Sequence, residues 1–402
     1  MIQARKYSAL KMVASVVVAQ LLSVVASADE GREIRPKNWQ EDATINDTFW
    51  IDDQYAWAVG DQGLILRTTD GGQTWLSSES AGLDLDDNRS LEQKLANPRP
   101  LSQTNELMQL TCSFKSVCFV DRKRGWVAGN FHVPYLESTR SVMLWTGDGG
   151  KSWSELKGSL LPEINRIVFQ DVLGGWALGR SGHLFNTGVF STSTGGRNWS
   201  VTDSDNRSNW IDGELVAGGL IVIDDEGNLG RITSGRYEAA VIFGDRPGFL
   251  HAVRMFDSKI GWAVGKSGTV LQTSDGGQTW RRPKTDGTTN PFASFDFKTV
   301  AVVGEKVVFA GSPGTKVFEM NAETARELIS HDTNFNLPVQ KIFFSSPENG
   351  CLVGANGLIA ASTNGGISWE VQRRANDRLA VLSVNDNPVS YTHLTLPTIY
   401  SV

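Results

Sequence analysis

Gly261-Trp262-Ala263-Val264-Gly265-Lys266-Ser267-Gly268-Thr269-Val270-Leu271-Gln272-Thr273-Ser274-Asp275-Gly276-Gly277-Gln278-Thr279-Trp280 is the stretch that decides the fold. Two short β-branched runs flank a Gly-x-x-Gly turn, and a second glycine-rich turn closes on a tryptophan. Short apolar runs between tight turns read as consecutive antiparallel strands. The second turn recurs as Asp70-Gly71-Gly72-Gln73-Thr74-Trp75, Asp148-Gly149-Gly150-Lys151-Ser152-Trp153, Thr194-Gly195-Gly196-Arg197-Asn198-Trp199 and Asn364-Gly365-Gly366-Ile367-Ser368-Trp369. Upstream of each stands Trp57, Trp126, Trp176, Trp262 or Cys351, followed three residues later by Gly60, Gly129, Gly179, Gly265 or Gly354.

The closing tryptophans are 78, 46, 81 and 89 residues apart, so some units lack one. The second glycines of the Gly-x-x-Gly turns and their equivalents fall at 182, 227, 268, 314 and 357, which are single-repeat steps. Two units without a closing Trp therefore lie at about 210–243 and 292–328. The 78-residue gap holds one such signature, at Gly129, and its surplus is insertion. Seven units result. Each reads as a four-stranded meander, which cannot bury both faces alone and must stack radially on its neighbours. The expectation is an all-β chain, a seven-bladed β-propeller of four-stranded antiparallel blades.

In this reading Trp57, Trp75, Trp126, Trp153, Trp176, Trp199, Trp262, Trp280 and Trp369 wedge neighbouring sheets together, and they are nine of the chain's 13 Trp. Asp70, Asp148 and Asp275 accept hydrogen bonds from amides of their own turns. Thr194 and Asn364 at the same position fit a capping role and not an ionic one.

The chain has 402 residues, 38 Lys+Arg and 44 Asp+Glu, and its net charge of −6 argues against a general nucleic-acid binder. Residues 1–28 join a basic start (Arg5, Lys6, Lys11) to an apolar run and Ala26-Ser27-Ala28, the pattern of a secretory signal peptide. The domains expected are this signal, a linker at 29–44 and the propeller at 45–388. The tail at 389–402 resembles translated library adapter and is expected to be non-native. An extracytoplasmic place follows: periplasm, thylakoid lumen or secreted. Cys112, Cys118 and Cys351 are expected to be buried apolar residues, since 112 and 118 sit six apart on one strand, beyond disulfide reach.

In an A-B-C-D meander the A–B and C–D turns share one rim, and the B–C turns and D–A crossovers share the other. Insertions at 78–106 and 130–141 both fall on the B–C rim, the side where binding loops are expected. That rim would show His132, Tyr135, Arg140, Arg180, His183 and Lys266 from turns, and Arg281, Arg282, Lys284, Arg373, Arg374 and Arg378 from crossovers. Such cations could dock a carboxylate or an acidic peptide. Scattered solvated charge is the competing reading, because Asp61, Asp225 and Glu226 share the rim.

No catalytic, cofactor-binding or metal-ligating set is expected. His132, His183, His251, His331 and His393 lack ligand spacing, and Asp203-Ser204-Asp205-Asn206-Arg207-Ser208 lacks the glycine of a calcium loop. The paired Gly-Trp-Ala-Val-Gly and Asp-Gly-Gly-x-Thr-Trp signatures resemble those of the photosystem II stability/assembly factor family, propellers with turns also called BNR repeats or Asp-boxes. The resemblance covers roughly residues 45–385. It implies a monomeric, non-enzymatic scaffold that grips a membrane-protein or peptide partner during assembly, through an arginine-rich patch. The net charge leaves no nucleic-acid partner expected, and with no later stretch approaching 18 apolar residues no stable membrane insertion is expected after signal cleavage. The alternative is an extracytoplasmic glycoside hydrolase or carbohydrate-binding protein with BNR repeats. Arg166-Ile167-Val168 and Arg231-Ile232-Thr233 do not match the Arg-Ile-Pro segment a sialidase would need. Arg378-Leu379-Ala380-Val381-Leu382-Ser383-Val384 resembles another first strand, which either closes blade 1 or begins a further blade.

Overall fold

The computed structural model describes residues 42–77, 112–133, 138–156, 161–181, 185–202, 208–285, 292–304, 306–321, 324–331, 333 and 335–374. The expected signal peptide, the insertion at 78–106, Tyr135, His183, Arg378 with its strand and the 389–402 tail lie outside them. The described residues form seven sheets, each built on four consecutive antiparallel strands, and no helix. The innermost strands, blades 1 to 7, are Ile45–Trp50, Cys112–Phe119, Ile164–Phe169, Trp210–Val216, Leu250–Met255, Asp296–Val303 and Val339–Phe344. The expected seven-bladed propeller is therefore observed.

Two boundaries differ from the sequence reading. Val241–Phe243, assigned there to unit 4, pairs parallel with Thr279–Arg281 and adds a fifth, outermost strand to blade 5. Lys284–Thr285 does the same for blade 6 against Thr324–His331. The 130–141 insertion is mostly ladder: Gly125–Val133 and Ser138–Thr146 pair as far as Val133 and Ser138, so the hairpin of blade 2 is lengthened.

Blades 7 and 1 meet within the described residues. Ile45–Trp50 pairs with Ala56–Gly60, so blade 1 has its own first strand. Trp50 stacks on Phe343 of blade 7 at 6.0 Å, and the Gly357 amide donates to Ala43 O at 3.0 Å. Equivalent amide bonds run from Gly63 to Cys112 O and from Gly268 to Phe295 O. The donors are second glycines of Gly-x-x-Gly turns. The central pairs Gln62-Gly63, Ser267-Gly268 and Asn356-Gly357 all have positive φ, as a type I′ hairpin turn requires.

Aromatic wedging follows one scheme. Trp57 stacks on Phe119 of the next blade (3.4 Å, 9°) and donates its indole N–H to Gly149 O at 2.9 Å. Trp126 repeats this with Phe169 and Gly195 O. Trp153 and Trp199 then meet the same two phenylalanines edge-on. The three cysteines are free and buried, and burial pushes the Cys112 and Cys351 thiols up to about 12 and that of Cys118 to about 11.

The capping role of the box residues is visible atom by atom. Asp148 Oδ1 accepts the Lys151 and Ser152 amides, and Oδ2 accepts the Ser152 hydroxyl at 2.6 Å. Asp275 does the same with Gln278 and Thr279. Asn364 and Thr194 accept the Ser368 and Asn198 amides in the equivalent place. The A–B turns carry a second set of caps that the sequence reading missed: Asp52, Asp121, Asp171 and Asp257 each accept two turn amides. Box and A–B turns are joined by amide bonds such as Gly149 to Lys123 O, which places both on one rim.

Candidate functional site: the channel mouth

Every first strand carries one residue more than its partner strand. The register breaks around Asn46, Lys115, Asn165, Ile211, His251, Lys298 and Gln340, one in each blade. A β-bulge kinks its strand and re-aims the extra side chain. All seven extra residues line a single cavity of about 210 Å³, together with Asp47, Arg166, Asp212 and Lys341. The cavity is the mouth of the central channel. It lies at the B–C end of the first strands, since Asn46 donates to Asp61 of a B–C turn at 2.9 Å.

The bulge explains the glycine that follows three residues after the signature aromatic. At Gly60 a Cβ would lie 2.1 Å from Thr44 O, and at Gly179 1.9 Å from Glu163 O, where the first strand swings close. Only a residue without a side chain admits that approach.

Some bulge side chains latch the next blade. Asn46 donates to Phe114 O, Asn165 to Trp210 O, and His251 Nδ1 lies 2.8 Å from Phe297 O. The residue after the bulge does similar work: Asp47 accepts the Val117 amide, Ser116 that of Ile167, and Asp212 that of Val253. Charge is concentrated here. Asp47 and Asp212 are only 2% and 4% exposed. Arg166 bridges them, 2.9 Å from Asp47 and 3.2 Å from Asp212. Arg254 adds a 2.6 Å bond to Asp212 and lies 3.6 Å from Glu214, while Lys341 approaches Asp47 at 3.3 Å.

These contacts set the proton affinities. Burial alone would raise Asp212, but Arg254, Lys341 and Arg166 outweigh it and hold the carboxyl at about 2. Burial raises Glu214 despite the same cations. Lys341 is pushed down to about 8 by burial, with repulsion from Arg254 adding to it. Burial and then Lys298 push His251 down to about 4. Its ring is neutral at physiological pH, with Nδ1–H donating to Phe297 O and Nε2 accepting from Lys298 Nζ at 3.0 Å.

The residues expected to bind a partner are spread out. Lys266 stands at the mouth, its ammonium 4.4 Å over the Phe249 ring, which packs on His251. Arg180 follows the second strand of blade 3 and lies 3.8 Å from Glu163. Arg140 is exposed on the lengthened hairpin of blade 2, and His132 pairs in register with Thr139 there. Arg281 ends the fourth strand of blade 5 with Arg282 next to it, and Arg373 ends Glu370–Arg373 of blade 7 with Arg374 next to it. These four stand at the perimeter, not with Lys266. The bulge residues were missed in the sequence. Their signal is a slip in the alternation, as in Leu250-His251-Ala252-Val253, with a polar residue in an apolar strand.

No family model matches the chain. It is 23% identical over 274 residues to the Photosystem II assembly lipoprotein Ycf48 of Picosynechococcus sp., a match covering 61% of this chain and 77% of that protein. Among solved structures it is similar to YCF48 bound to D1 peptide (TM-score 0.56, 21% identity, covering 80% of this chain and 92% of that one). It is similar also to YCF48 from Cyanidioschyzon merolae (TM-score 0.55, 18% identity, 80% and 96%). The WD40 propeller domain of Doa1 matches at 10% identity with TM-score 0.52, covering 80% and 93%. The structural likenesses show the propeller fold. Together with the sequence match they bear out the resemblance to the photosystem II assembly factors.

Proposed function

We propose that this chain is a non-enzymatic, extracytoplasmic scaffold of the photosystem II assembly type. It binds a protein partner, a segment of a membrane-protein subunit, on the rim that carries the channel mouth. The observation that carries this reading is the likeness, over 80% of the chain, to a propeller whose solved structure holds a D1 peptide. The mouth supports it, because all seven blades contribute a bulge residue to one cavity that offers hydrogen-bonding and cationic groups. Residues 1–28 act as the secretory signal in this reading, and Arg140, Arg180, Lys266, Arg281, Arg282, Arg373 and Arg374 extend the basic rim around the mouth.

The Asp-boxes lend no support to a hydrolase. Asp70, Asp148 and Asp275 turn both oxygens into their own turns and so present neither oxygen to a substrate bond. The test is titration of the purified propeller with a D1-type peptide, alongside assays on sialosides and β-glucans. Saturable peptide binding without turnover is expected. Turnover of a glycan, or absence of peptide binding, would overturn the reading.

A further inference from the structure

The ion network in the channel balances itself: Asp47, Asp212 and Glu214 face Arg166, Arg254 and Lys341. Lys115 at the mouth has Asp61 at 3.7 Å. The sector formed by blades 5 and 6 is different. Lys298, the bulge residue of blade 6, hydrogen-bonds the neutral His251 imidazole. Lys266 and Lys316 rest their ammonium groups on the rings of Phe249 (4.4 Å) and Phe295 (5.6 Å). Among the described residues none of these three lysines forms an ion pair. Asp296 attracts Lys298 and His251 from within this sector without pairing with either, and one of its oxygens accepts the Ser267 amide.

We propose that Lys298, Lys266 and His251 form a carboxylate-binding site at the channel mouth, which takes an acidic side chain of the partner. The inference rests on the scaffold reading above and adds the chemical group that docks. A carboxylate facing Lys298 would receive a charge-assisted hydrogen bond in a partly desolvated cavity, where such bonds are strongest. Lys266 and Lys316 are held on aromatic faces with no ion pair among the described residues, so a carboxylate gains their attraction without breaking a salt bridge. His251 holds Lys298 in place through Nε2, and its neutrality leaves Lys298 free of a repelling imidazolium.

The test uses acetylated triglutamate, triglutamine and free acetate on the whole propeller, with binding followed by calorimetry and His251 by ring nitrogen resonances. Triglutamate is expected to bind at least tenfold more tightly than triglutamine and to raise the His251 pKa. Lys298→Met and Lys266→Gln are each expected to weaken triglutamate at least fivefold, with the melting profile checked for intact folding. Acetate shifting His251 as fully as triglutamate assigns the site to free anions and overturns the peptide proposal. Equal binding of the two peptides, or affinity unchanged in both variants, overturns it as well. Triglutamate binding that persists while a D1-type peptide fails sinks the partner and leaves the site standing.

Discussion

The box turns and the channel mouth of this propeller handle polar groups in opposite ways. In the box turns the carboxylates are local caps, each serving amides within a few residues, as Asp148 does for Lys151 and Ser152. At the channel mouth the carboxylates act across blades, as when Asp47 on blade 1 takes the Val117 amide of blade 2 and the Arg166 guanidinium of blade 3. A local cap can be exchanged for any acceptor of similar reach, which is why Thr194 and Asn364 suffice. A bridging charge cannot be exchanged, because removing it leaves buried ions facing each other. The contrast separates what builds each blade from what joins the blades around a site.

The sharpest way to break the contrast is Arg166→Ala. It leaves Asp47 and Asp212 without their shared cation and is expected to cost about 3–5 kcal/mol, read from chemical denaturation. A cost near zero would mean that the channel network is as exchangeable as the caps. Asp148→Ala on the box rim should cost less, about 1–2 kcal/mol, and Asp148→Asn less again, since Asn364 shows an amide working in that place. The smallest effect is in pH. Hydrogen bonds from Thr74 foremost hold Asp70 at about 2, so its contribution is full above the ordinary carboxylate range and is lost as pH falls through about 2. Lys341 has the same sign in a higher window: its lowered value, about 8, means the unfolded chain binds more protons above that pH. Its contribution therefore improves as pH rises from about 8 towards the ordinary lysine value. Asp70→Asn should flatten the acid limb of a stability profile, and Lys341→Met the alkaline one.

The box turns and the paired glycines made the blade count legible, because their chemistry is local and repeats with the chain. The channel was hidden for the same reason in reverse. His251, Lys298 and Asp47 come from three blades and meet only when the ring closes, and nothing in their local sequence encodes that meeting. The strand at Val241–Phe243 was misassigned because its partner, Thr279–Arg281, lies beyond the intervening strands of blade 5. Lys266 was found at the mouth since turn direction fixes its rim, whereas Arg281 and Arg373 were placed by rim alone and radius was not readable.

The seam between blades 7 and 1 uses the same amide latch as the seams after blades 1 and 5, from Gly357 to Ala43 O. Among the described residues this seam is built from the same kinds of parts as the others, a latching amide and an aromatic contact across it. A circularly permuted chain, opened at another crossover and ligated across this seam, should rebuild the same seven sheets.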